Sequence, residues 1–159
     1  MTMRASILAG IATMLLTAGV CQADPAPNRV VGRWLTENKH GVVDIHACGG
    51  GKLCGTLVWI YKPTDDSGRP VMDRQNPDKA LQGRPVCGMD MLGGFVPEGA
   101  EHWADGWIYD AESGKTYKAN MALQDDGTLK LRGYVGIPLF GESQVWTRAD
   151  GSRGTCTAG

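Results

Sequence analysis

The chain has 159 residues, 42% of them hydrophobic, with 16 Lys and Arg against 17 Asp and Glu for a formal net charge of −1. With no basic stripe or block of like charge, this near-balance excludes nucleic acid as the main partner. The length admits one domain with a real core and is too short for two.

In chain order, the first element is not part of the fold. Met1 and a single basic residue, Arg4, precede an apolar run from Ala5 to about Val20, and Cys21-Gln22-Ala23 ends it with small residues two apart. This is the layout of a secretory signal peptide cleaved near Ala23. The run falls short of the roughly 20 apolar residues that span a bilayer. A lipoprotein signal acylated at Cys21 is the rival, weakened by bulky Val20 where a small residue is needed. No later segment is apolar enough to enter a membrane, so the expected compartment is the periplasm or the exterior. Removing residues 1–23 from the 159 leaves 136, read as a single domain over 24–159.

Loss of Cys21 turns five cysteines into four: Cys48, Cys54, Cys87 and Cys156. An even count in an exported chain predicts two disulfides, with three possible pairings. Cys48 and Cys54 flank Gly49-Gly50-Gly51-Lys52-Leu53, a turn permissive enough to join them, which leaves Cys87 for Cys156. A zinc site of four cysteines is the alternative, but no Cys-x-x-Cys pair is present.

Asp24 to Asn28 is polar and Pro-rich. Val30 to Thr36 alternates as a strand, His40-Gly41 turns the chain, and Val42 to Ala47 forms a second strand with Val43 and Ile45 on one face. Leu53 to Tyr61 is a long third strand, with Leu53, Leu57, Trp59 and Tyr61 predicted to share a face. Lys62 to Gly88 is a long link, and such loops often carry binding function. Within it Asn76 as N-cap and Pro77 at the first helical position predict a helix of one or two turns. Gly88 to Leu92 reads as a short strand and Gly93 to Asp105 as turn-rich, with Trp103 inside it. From Gly106 to Arg148 every run alternates and every break carries glycine, the pattern of an antiparallel meander. About eight short antiparallel strands and almost no helix predict an all-β domain closed as a barrel or stacked as a sandwich.

At Gly32-Arg33-Trp34 and Trp146-Thr147-Arg148 the chain resembles the lipocalin and calycin superfamily. There a Gly-x-Trp on the first strand sits at the closed end of a barrel, under a basic residue from the last strand. A closer resemblance covers nearly the whole mature chain. Asp44-Ile45-x-x-Cys48, Leu53-Cys54-Gly55, Asn76-Pro77-Asp78, Gly106-Trp107-Ile108-Tyr109-Asp110, Gly114-Lys115-x-Tyr117, Arg132-Gly133-Tyr134-x-Gly136-x-x-Leu139-x-Gly141 and Gln144-x-Trp146-Thr147-Arg148 follow in order. They are similar to those of a bacterial exported family catalogued as domain of unknown function 2147. The resemblance implies a single calycin-like barrel of about eight strands and no established activity, so no catalytic residue carries over. Gly32, Trp34, Trp146 and Arg148 are the expected barrel closure. The long helix that follows the last strands in true lipocalins is missing.

The remaining side chains bound the chemistry. His40, His46 and His102 lack metal-ligand spacing and read as separate turn or surface residues, so neither a metal nor a cofactor is expected. Asp44 and His46 share a strand face about 7 Å apart; a solvated outer face is the simpler account than an acid–base pair. Asp65, Asp66, Asp73 and Asp78 lack the order of a calcium loop and read as solvated turn residues. The glycine runs at 48–55 and 133–141 have no phosphate-loop spacing and open no helix. Trp59, Tyr61, Trp107, Tyr109, Tyr117 and Tyr134 are left as candidates to line an interior cavity, or else to fill it. The expected function is therefore a non-catalytic β-barrel that binds a small apolar molecule in the cell envelope. The alternative is an envelope protein-interaction module acting through its surface or the 62–88 loop, with a hydrolase behind both. Oligomeric state is not legible.

Overall fold

The computed structural model describes residues 27–156. The signal-peptide and lipoprotein readings, including Cys21 and cleavage near Ala23, lie outside the described residues. Eight strands follow one another: β1 (Gly32–Leu35), β2 (Gly41–Cys48), β3 (Lys52–Ile60), β4 (Asp90–Pro97), β5 (His102–Asp110), β6 (Lys115–Leu123), β7 (Leu129–Tyr134) and β8 (Glu142–Arg148). Each pairs antiparallel with the next, and β8 pairs back onto β1, so the sheet closes as an up-and-down barrel. Among the described residues helix is confined to a four-residue α1 (Pro27–Val30) and a 3-10 turn at Pro138–Phe140.

Closure abolishes the sheet edges, and it rests on a short seam. β1 and β8 share only the pairs Trp34–Arg148 and Leu35–Thr147. The indole of Trp34 is fully buried and donates from Nε1 to the Val30 carbonyl at 2.7 Å, while the Arg148 guanidinium lies 3.9 Å from its ring centroid. Arg148 also donates to the carbonyls of Val31 and Arg29, tying α1 beneath the barrel. Gly32 has a φ of +115°, and a Cβ there would lie 3.1 Å from Arg148 Nη1. The glycine of Gly-x-Trp is thus required for both its conformation and its lack of bulk.

The strand pattern departs from simple alternation at bulges. Val42 pairs with Trp59 while Val43 pairs with Leu57, which leaves Val58 as an extra residue in β3. A bulge inverts the facing of everything beyond it. Leu53 and Leu57 therefore face inward with Ile60, whereas Trp59 turns outward. Gly94 (φ +75°) and Asp105 (φ +57°) sit where β4 and β5 slip register with their neighbours. The expected turn-rich stretch from Gly93 to Asp105 is consequently two strands joined near residues 98–101. Glycine and aspartate there mark bulges rather than strand ends.

Two disulfides are formed, Cys48–Cys54 across the β2–β3 hairpin and Cys87–Cys156 between the long loop and the C-terminal segment. By loop-closure entropy they contribute about 2 and about 4 kcal/mol. The C-terminal segment crosses the outer face of β1–β3. Ala149 N donates to Arg33 O, Cys156 N to Val58 O, and Arg153 stands 5.5 Å from the Trp59 ring. Leu35 and Val42, on that outer face, are buried there.

The barrel interior is divided. Trp34, Trp103, Trp146, Phe95, Ile45, Leu53 and Leu129, all under 2% exposed, fill the end that holds α1 and the β2–β3 hairpin. Gly106 makes room for them, since a Cβ at that position would come within 2.5 Å of the Phe95 ring. The other end is hollow.

Candidate functional site

The hollow end is a cavity of about 1030 Å³, open to solvent, at the upper limit of ordinary ligand pockets. Its depth is apolar: Leu57, Ile60, Met91, Ile108 and Leu131 point in from the strands. Its mouth is formed by the 36–41 hairpin, the long loop, the β5–β6 turn and the link from β7 to β8. Among the aromatic candidates, Tyr61, Tyr109, Tyr117 and Tyr134 border it, Tyr134 only at the rim, since it pairs with Lys118 and turns its hydroxyl toward Asn120 on the outer face. Tyr117 shares the inward parity of Ala119 and Met121, whereas Tyr61 stands at the mouth, 62% exposed and stacked on His40 with centroids 5.7 Å apart.

Trp59 and Trp107 do not line the cavity. The Val58 bulge turns Trp59 out under Arg153. Trp107 lies between inward Gly106 and Ile108, and its indole covers Gly93 on the outer face, where a Cβ would be 2.9 Å from Cζ2. Tyr109, two residues on, has the same parity but is buried by the long loop.

That loop is held by a polar cluster that no local sequence pattern marks. Asp73 is fully buried and accepts hydrogen bonds from the Tyr109 hydroxyl at 2.6 Å, Asn76 Nδ2 at 2.8 Å and Arg84 Nε at 2.9 Å. The expectation that Asp73 is a solvated turn residue is thus corrected; its partner Tyr109 lies 36 positions away on β5. Burial works against the Asp73 charge, but Tyr109, Asn76 and Arg84 outweigh it and hold the carboxyl below its ordinary range. Burial, then the hydrogen bond and charge of Asp73, push the Tyr109 hydroxyl up to about 12. Gly114 of the β5–β6 turn fits closely under the loop, because a Cβ there would sit 1.9 Å from Gln75 O. Asn76 and Pro77 start no helix. Asn76 Oδ1 caps Asp78 N, but the Asn76 amide is committed to Asp73 and the chain continues as three-residue turns through Arg84. The loop places Val71, Met72, Val86 and Met89 against the cavity.

The other polar candidates stay apart. His46 Nδ1 faces the Asp44 carbonyl at 3.1 Å on the outer face of β2, and Asp65 is occupied by Arg69 at 3.0 Å. Among the described residues no three His, Cys, Asp or Glu converge as metal ligands. One feature escaped the sequence reading. Val135, Ile137, Leu139 and Phe140 are between 53% and 78% exposed, although Arg132 fixes their backbone through the carbonyls of Pro138 and Leu139.

An up-and-down barrel filled at one end over a Gly-x-Trp/Arg seam and hollow at the other is a lipocalin-like barrel. A solved structure described as "Protein HP1028 from the human pathogen Helicobacter pylori belongs to the lipocalin family" is similar, with a TM-score of 0.66 at 21% identity over 76% of this chain and 83% of that one. Likeness at that identity shows the fold alone. The chain belongs to the family described as "Uncharacterized protein conserved in bacteria (DUF2147)", which it matches over residues 32–148. No curated protein matches it. The two disulfides fit an oxidising periplasmic or extracellular compartment. No helix among the described residues is long and apolar enough to cross a membrane.

Proposed function

We propose that the protein is a non-catalytic carrier or sensor that binds a small, largely apolar molecule in the cell envelope. The observation that supports this reading is the division of the interior: tryptophans pack the closed end, and about 1030 Å³ with an apolar floor is left at the other. The apolar lining of this open cavity stands in water, and covering it with an apolar ligand is favourable by about 25 cal/mol per Å² of surface removed from water.

Gly133 supplies the test. It faces inward on β7, and a Cβ there would make only ordinary contacts with Ile108 at 3.6 Å and Tyr117 at 3.7 Å. Gly133→Phe is expected to project a ring into the cavity beside Ile108 and Tyr117 while leaving circular dichroism and disulfides unchanged. Native mass spectrometry of protein exported to the periplasm should show an adduct on the wild type and clearly less of it on the variant. Absence of any adduct on the wild type, or an adduct undiminished on a folded Gly133→Phe protein, would count against the reading.

The second reading, a protein-interaction module, is favoured by the exposed link from Val135 to Phe140, since firmly held exposed apolar side chains often mark contact surfaces. Ile137→Ser, Leu139→Ser and Phe140→Ser together should abolish crosslinking to an envelope partner without altering melting temperature. Unchanged crosslinking would remove this route.

A further inference from the structure

The cavity is chemically two-ended, and the charges of its mouth are lopsided. Four carboxylates, Glu37, Asp110, Glu112 and Glu142, stand among its lining residues against one ammonium, Lys62. With His40 neutral that is a formal −3, on a chain whose total is −1. Two of the acids are aimed by the strands themselves. Trp146, Gln144 and Glu142 alternate inward along β8, so Glu142 follows the indole up to the open end; Asp110 follows Ile108 in the same way along β5.

Nearby cations do not cancel this. Arg132 is spent on the carbonyls of Pro138 and Leu139 and on Ser143 Oγ. Lys115 stands opposite Asp110 on the same strand face and offsets that one acid, which leaves Glu112 and Glu142 without an ion pair among the described residues. Glu37 accepts a bond from Val145 N, and Asp110 accepts from Glu112 N and Ser113 Oγ. The carboxylates of Glu112 and Glu142 accept no hydrogen bond among the described residues. Beside a low-dielectric cavity such uncompensated carboxylates draw cations and repel anions. Tyr61, Tyr117 and Phe140 add aromatic rings at the same opening, and such rings favour an ammonium group.

We propose that the ligand is a cationic amphiphile, its apolar body against Ile60, Met91 and Ile108 and its amine or quaternary ammonium head at the mouth between Glu112 and Glu142. This rests on the cavity reading above and names the ligand class for it.

Three probes with alkyl chains of matched length separate the two claims: decyltrimethylammonium, decanol and undecanoate, titrated calorimetrically below micelle formation into the disulfide-bonded exported protein at low salt. The ammonium probe should bind at least about tenfold more tightly than undecanoate, with decanol between them. The gap should narrow as salt is raised. Glu112→Gln with Glu142→Gln should bring the three probes within about twofold, with decanol unaffected, and Gly133→Phe should weaken all three alike. Equal binding of all probes to the wild type, or tighter undecanoate, would overturn the head-group assignment and leave the apolar cavity standing. Failure of every probe, decanol included, would overturn both.

Discussion

Trp34→Ala is expected to lower stability by about 3–5 kcal/mol, the range for removing a large buried aromatic side chain. In a domain whose total is about 5–15 kcal/mol, that is enough to leave a substantial unfolded fraction. The magnitude follows from position. Trp34 is fully buried, plugs the closed end, donates to Val30 O and carries the Arg148 guanidinium on its face, all at a seam of two residue pairs. Trp34→Phe keeps an aromatic ring but loses the hydrogen bond and part of the indole's bulk, so it should cost more than about 1 kcal/mol and less than Trp34→Ala. Arg148→Met should cost about as much, through the cation–π contact and the bonds to Val31 and Arg29. Guanidinium unfolding with disulfides intact measures all three. A loss under about 1 kcal/mol for Trp34→Ala would show that the barrel closes without this clamp.

Asp73→Ala is the second large effect, expected at about 2–4 kcal/mol. Removing one member of a buried pair strands the others; here the figure lies below the fully buried case because Arg84 is partly exposed. Arg84, Asn76 Nδ2 and the Tyr109 hydroxyl would all lose their acceptor. The damage should be local first: amides of residues 63–88 exchange faster while those of β5–β8 stay protected. Because the loop carries Val71, Met72, Val86 and Met89 to the cavity, ligand retention should fall with it.

The same cluster sets a pH dependence at both ends. The Asp73 carboxyl is depressed in the fold, so its contribution is present above the ordinary value of 3.8 and lost as pH falls through the lower folded value. The Tyr109 hydroxyl is raised, so its contribution is complete below pH 10 and is lost as pH rises from there through about 12. Melting temperature should therefore drop in acid below about pH 4 and in base above about pH 10. In Asp73→Ala the acid limb should flatten. An unchanged acid limb would mean that Asp73 is not the group responsible.

Much of the scaffold is legible in residues close together in the chain. Alternation gives the strands of the meander, glycine-bearing breaks give its hairpins, and the four cysteines Cys48, Cys54, Cys87 and Cys156 give the disulfides. The parts that were not legible have a common cause. Val58 looks like any strand residue, yet as a bulge it exchanges the facings of Trp59 and Ile60 and moves a tryptophan out of the cavity. Gly94 and Asp105 look like turn residues and are bulges within strands. Asn76-Pro77 looks like a helix start, but Asn76 bonds to Asp73 and the helix does not propagate. The candidate site was half legible: four of the six aromatics border the cavity, while Ile60, Gly133, Glu142 and the Asp73 cluster entered only with the folded chain.

The sequence by itself determined the all-β barrel pattern, the disulfide set and the Gly-x-Trp/Arg seam, because each depends on short-range periodicity, residue count or a motif. Only the tertiary structure decided that the interior is filled at one end and hollow at the other. Whether an inward face is packed depends on what six or seven other strands place opposite it, and on bulges that reverse the facing of one. The burial of Asp73 beneath a loop and the acidic mouth of the cavity arise in the same way, from residues brought together across the barrel.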